Sequence, residues 1–106
     1  MRVLLDECLP ERLRRNIPGH DVFTAHYMGW KTLRNGQLIA AMLQEKFDVL
    51  ITADRGLPYQ QNLQAAGIAV IVLAGRTEYV ELVKLAPRLL QVIAAIQPGQ
   101  FVEISR

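Results

Sequence analysis

Apolar residues fall in short unbroken runs at Val3-Leu4-Leu5, Val49-Leu50-Ile51 and Ile68 to Leu73. Runs without polar alternation suit strands buried on both faces, the usual state of a parallel sheet. Asp21-Val22-Phe23-Thr24 and Phe101-Val102-Glu103-Ile104 are further strand candidates, the last at an edge of the sheet. Between these runs the pattern is helical. Pro10 opens a short helix over Glu11 to Ile17, which Pro18-Gly19 ends. Asn35 fits an N-cap for a helix over about 36–46, where Leu38, Ile39, Met42 and Leu43 recur at helical spacing. Pro58 to Ala66 with Gly67 behind it predicts another helix. Thr77 heads a segment from Glu78 to Ile96 that Pro87 kinks or divides. His26-Tyr27-Met28-Gly29-Trp30 shows neither period and reads as loop. Strands alternating with helices predict an α/β domain with a mainly parallel sheet and right-handed crossovers.

The length of 106 residues holds one core, so residues 1–106 form one domain. A mean hydropathy of +0.15 is high for so small a chain. Together with the apolar-rich Leu82 to Ile96 segment it predicts self-association, most simply a homodimer. The net charge of +2 permits an acidic partner without requiring one. A single Cys8 excludes an intramolecular disulfide, and Asp6-Glu7 interrupts the first apolar run too early for a signal peptide, which predicts a cytoplasmic protein. Ile68 to Ala74 is far shorter than the ~20 residues of a membrane helix, so no membrane span is expected. The absence of a glycine-rich phosphate loop argues against a nucleotide-triphosphate or dinucleotide enzyme.

The chemistry concentrates where two strands end on acids. Ligands of parallel sheets bind beyond the carboxyl ends of the strands, and Asp6 and Asp54 both lie there. If the first and third runs are neighbours, the carboxylates converge on a site suited to a hard cation, Mg²⁺ or Mn²⁺, and to metal-assisted phosphodiester hydrolysis. The alternative is that each Asp caps the helix that follows it. Arg12, Arg14, Arg15, Lys31, Arg34 and Arg55 either line a phosphate-facing surface or form a solvated face. Gln60 and Gln61, with Tyr59 and Asn62, make a polar helix start whose amides suit a phosphate or sugar as well as they suit water. His26 stands in the irregular loop, where an imidazole suits proton transfer, and His20 reads as structural. Cys8 reads as a buried thiol, and Tyr27 and Trp30 as anchors of their loop in the core.

Leu4-Leu5-Asp6-Glu7-Cys8-Leu9-Pro10, Pro18-Gly19-His20-Asp21-Val22, Met28-Gly29-Trp30, Asn35-Gly36, and Thr52-Ala53-Asp54 with Tyr59-Gln60-Gln61-Asn62-Leu63 form an ordered set that resembles the small bacterial PIN-like proteins. The likeness covers most of the chain up to residue 75. It implies a three-layer α/β/α sandwich and the toxin half of a toxin–antitoxin pair, a metal-dependent ribonuclease acting on RNA beside a helix-turn-helix antitoxin. On the enzyme reading Glu7 or Gln37 orients a ligand or water next to Asp6 and Asp54. Three positions depart from the pattern: Tyr27 stands where many relatives carry Glu, Gln37 where an acid often follows Asn-Gly, and Gly56 where broader members have a second Asp. The acidic set is thinned, so metal is expected to be weakly held. A non-catalytic PIN-like binding module is the competing expectation.

Overall fold

The computed structural model describes residues 1–56 and 60–105. Its strands are β1 (Arg2–Leu5), β2 (Asp21–Thr24), β3 (Val49–Thr52), β4 (Ala69–Leu73) and β5 (Phe101–Ile104). They form one five-stranded sheet in the order β2-β1-β3-β4-β5, and every pairing is parallel. Val3, Leu4 and Leu5 lie opposite Val49, Leu50 and Ile51, so the two expected neighbours do sit side by side. Every residue of β3 and β4 is buried, which is why their sequences carry no polar alternation.

Helical elements cover both faces of the sheet. A 3-10 helix (Glu11–Asn16), α3 (Tyr79–Val83) and α4 (Ala86–Ala95) lie on the first face. There Leu13, Leu82, Leu89 and Ile93 pack on Val3, Leu5, Val49, Ile51 and Ile71. On the second face α1 (Asn35–Gln44) and α2 (Gln60–Ala65) bring Leu38, Met42 and Leu63 onto Leu4, Leu50, Val70 and Val72. The result is a three-layer α/β/α domain, whose α/β class and parallel sheet the alternating pattern predicts.

Two local expectations are revised, and the division at Pro87 is met. The segment after Pro10 closes with short bonds, from Leu13 N–H to Pro10 O (3.1 Å) and Ile17 N–H to Arg14 O (3.2 Å), and is a 3-10 rather than an α-helix. Asn35 is the first residue inside α1, with Arg34 in the capping position. Pro87 divides the C-terminal segment: it falls in the first turn of α4, where a missing N–H costs no helical bond. The helix start expected at Pro58 and Tyr59 lies outside the described residues.

The crossovers do not all share one hand. The β1 to β2 connection moves toward one edge with its 3-10 helix on the first face. Those from β2 to β3 and from β3 to β4 move the other way on the second face, and so have the same hand. The β4 to β5 connection also moves that way, but α3 and α4 pass on the first face, which gives it the opposite hand. The expectation of uniformly right-handed crossovers therefore fails for one connection. The physical reason is area. The two-turn 3-10 helix leaves the first face largely bare, and Leu82, Leu85, Leu89 and Ile93 fill it. That packing also absorbs much of the apolar C-terminal segment on which self-association was expected. Among the described residues no helix is long and apolar enough to cross a membrane.

Candidate functional site

The connection that leaves β1 runs toward one edge of the sheet and the one that leaves β3 toward the other, which makes the carboxyl ends of β1 and β3 a topological switch point, where parallel sheets bind ligands. Asp6 follows β1 directly, and its N–H donates to Ile51 O at 2.9 Å, extending the ladder by one bond. Asp54 lies two residues past the end of β3. The buried Thr52 side chain joins them. Its hydroxyl donates to Asp6 Oδ2 at 2.7 Å and accepts the Asp54 N–H at 3.1 Å. One hydroxyl thus orients the first acid and the backbone of the second, and because its only proton goes to Asp6, Asp6 serves as the acceptor.

Among the described residues neither acid caps a helix. Asp6 Oδ1 accepts the Glu7 N–H and Asp54 Oδ1 accepts the Gly56 N–H, both at 2.9 Å, so each folds its own local turn. Glu7 is exposed and reaches Asp6 only through its backbone. Gln37 is exposed in the first turn of α1, whose N-terminus stands on the same rim because α1 runs back from there to Asp48 at the opposite end. Cys8 is exposed rather than buried. Its Sγ faces Asp6 Oδ2 (3.5 Å) and Thr52 Oγ1 (3.6 Å) and accepts the Ala53 N–H (3.4 Å). Partial burial pushes the thiol pKa up; the Ala53 and Thr52 bonds oppose this and the charge of Asp6 reinforces it. The thiol is neutral at physiological pH and adds no negative charge to the rim.

The donor set suits one hard cation. Mg²⁺ keeps several waters and is held by one or two carboxylates together with substrate phosphate, and Asp6 and Asp54 supply that number. Asp6 Oδ1 and Asp54 Oδ1 each accept one bond and retain further lone-pair capacity, whereas Asp6 Oδ2 accepts from both Thr52 and Cys8. Among the described residues no three His, Cys, Asp or Glu side chains gather as a protein-only metal cage would require.

The cations divide into two groups. Arg55 turns away from the acids to make a two-pronged pair with Glu103, at 3.1 and 3.0 Å. Arg12 stacks on the Tyr79 ring, 4.4 Å from its centroid. Arg15, Lys31 and Arg34 are exposed and make no side-chain bond to a described residue. Gln60 and Gln61 open α2 as expected, and their side chains lie outside the described structure. His26 is exposed in the loop after β2. The two loop aromatics differ: Trp30 packs edge-on against Phe47 at 5.5 Å as an anchor, while Tyr27 is 69% exposed and is no core anchor.

Sequence reasoning missed Thr52 and Tyr79. Thr52 reads as one more β-branched strand residue; its signal was a hydroxyl ending an apolar run two positions before an acid. No protein-family model, curated protein or solved structure matches this chain.

Proposed function

We propose that the protein is a metal-dependent endoribonuclease that hydrolyses RNA phosphodiester bonds, with Asp6 and Asp54 as ligands of one Mg²⁺ or Mn²⁺. The observation that carries this reading is the placement of the two acids at the carboxyl ends of adjacent parallel strands, tied together by the Thr52 hydroxyl. The cation would polarise a phosphoryl oxygen and lower the pKa of bound water. Thr52 holds the Asp6 carboxylate in one orientation, and the Gly56 N–H does the same for Asp54. Gln37 and Glu7, exposed on the rim, would orient water or substrate through neutral and charged contacts respectively. Lys31, Arg34 and Arg15 are the cations free to meet phosphates, whereas Arg55 must first leave Glu103. The resemblance to PIN-like toxins extends the proposal to a cytoplasmic toxin held by a helix-turn-helix antitoxin, with a homodimer as its simplest assembly.

A second reading has its own support. Both oxygens of Asp6 are engaged by internal donors, which suits a rim kept for shape in a non-catalytic binding module. Cleavage of a fluorescent RNA in Mn²⁺ separates the two. Asp6→Asn and Asp54→Asn should each abolish cleavage while the fold persists by circular dichroism. Equal cleavage by wild type in excess chelator would overturn the metal reading, and metal-dependent cleavage that survives both substitutions would overturn the assignment of the acids.

A further inference from the structure

The outer side of β2 carries a groove of about 480 Å³, lined by Glu11, Arg12, Arg14, Arg15, His20 and Val22. Three arginines against one glutamate give it a formal charge of +2, equal to that of the whole chain, so the remaining residues balance to zero. The positive excess of this protein is gathered in one place. We propose that this groove binds the phosphate backbone of an RNA strand, an inference that rests on RNA being the ligand of the protein.

The arginines are held without being used up. Arg12 lies over the Tyr79 ring at 4.4 Å, and the Tyr79 hydroxyl donates to Asn16 Oδ1 at 2.7 Å, which fixes the ring. Stacking occupies the face of a guanidinium and leaves its in-plane N–H donors open for phosphate oxygens. Arg14 gives only its Nε–H, to Val22 O at 3.1 Å, and its contact with Glu11 is long at 3.6 Å. Arg15 is free among the described residues. Two guanidiniums set in place beside a third that has no bond to a described residue form a prepared anion surface, and the cost of ordering the first two is already met by the fold.

An acidic peptide adding as a strand fits this edge poorly. Val22 O is taken by Arg14, and Thr24 O accepts the Met28 N–H at 3.1 Å, so the edge offers few carbonyls for pairing. A ligand recognised by side-chain forks is favoured instead. The 3-10 helix that forms the groove wall follows Asp6 in sequence after one turn, closed by the Leu9 N–H to Asp6 O bond of 3.0 Å.

Fluorescence anisotropy with a labelled, fully 2′-O-methylated oligouridylate in chelator reads binding without cleavage. Arg15→Gln should weaken it and flatten the slope of log affinity against log salt by about 0.7. Arg12→Lys, which keeps the charge and loses the stacked fork, should weaken it several-fold. With a cleavable RNA Arg15→Gln should raise KM and leave kcat unchanged. Wild-type affinity and salt slope in both arginine variants would overturn the groove, as would equal competition by a polyglutamate peptide. Groove binding that persists in a protein without cleavage would overturn the nuclease reading alone.

Discussion

Replacing Thr52 by Val removes one oxygen and keeps the shape of a side chain that is fully buried at the end of β3. The hydroxyl bond to Asp6 is short, at 2.7 Å, and reaches a carboxylate. Bonds to charged groups contribute about 1.5–3 kcal/mol, against about 0.5–1.5 kcal/mol for neutral ones. The Asp54 N–H, which also loses its acceptor, sits on an exposed residue that water reaches, so its loss adds little. Thr52→Val should therefore cost about 2 kcal/mol, near the lower end of the charged range because Asp6 is only partly buried. With an unfolding entropy of about 0.2 kcal/mol/K for a domain of this size, Tm should fall by about 10 °C. Thr52→Ser retains the hydroxyl and loses one methyl, costing about 0.8 kcal/mol, and should recover more than half of the loss. Urea titration with a shared m-value measures both, and hydrogen exchange at the Asp54 amide reports the broken contact directly. Equal stability of Thr52→Val and wild type, or a Ser variant less stable than the Val variant, would show that the hydroxyl does not tie the two acids together.

Cys8 should react slowly with iodoacetamide near neutral pH, because burial first and Asp6 next hold its pKa above the ordinary 9.0. Asp6→Asn removes two of the raising influences and should speed alkylation at fixed pH; an unchanged rate would contradict the contact. For stability the sign follows from proton counting: below pH 9.0 the thiol is protonated folded and unfolded. As pH rises further the unfolded chain ionises first, so stability falls across that interval, and Cys8→Ser should flatten the decline in urea titrations. At Gly99 φ is +77°, and a Cβ would sit 2.8 Å from the backbone oxygen of Gln64. Gly99→Ala should destabilise by about 2 kcal/mol or more, whereas Gly67→Ala, at φ +81° in open space, should cost about 1 kcal/mol. Similar losses at both positions would show that close approach to α2 is not the constraint at Gly99.

The strands were legible because a buried parallel strand is written as an unbroken apolar run, and β3 and β4 are buried along their whole length. Asp6 and Asp54 were legible as a pair once those runs were taken as neighbours. The hand of the last connection was not, because it depends on area: nothing in Glu11 to Ile17 announces that the turn will be 3-10 and cover so little. Arg12 was readable as a cation for phosphate, but its partner Tyr79 lies far along the chain and owes its position to that same bare face. Tyr27 and Trp30 look alike in sequence and part company only because Phe47 offers a packing surface to one of them.

The late cover of the first face also orders events as the protein is made. Synthesis runs from the N-terminus, so β1 to β4 leave the ribosome before α3 and α4 exist. Until residues 79–96 emerge, Val3, Leu5, Val49, Ile51 and Ile71 have only Leu9, Leu13 and Ile17 to shield them on that side. The nascent chain therefore carries an open apolar sheet face, the kind of surface that chaperones bind and that aggregates when left uncovered. Completion of the C-terminal segment is the step that converts an adhesive intermediate into a finished molecule.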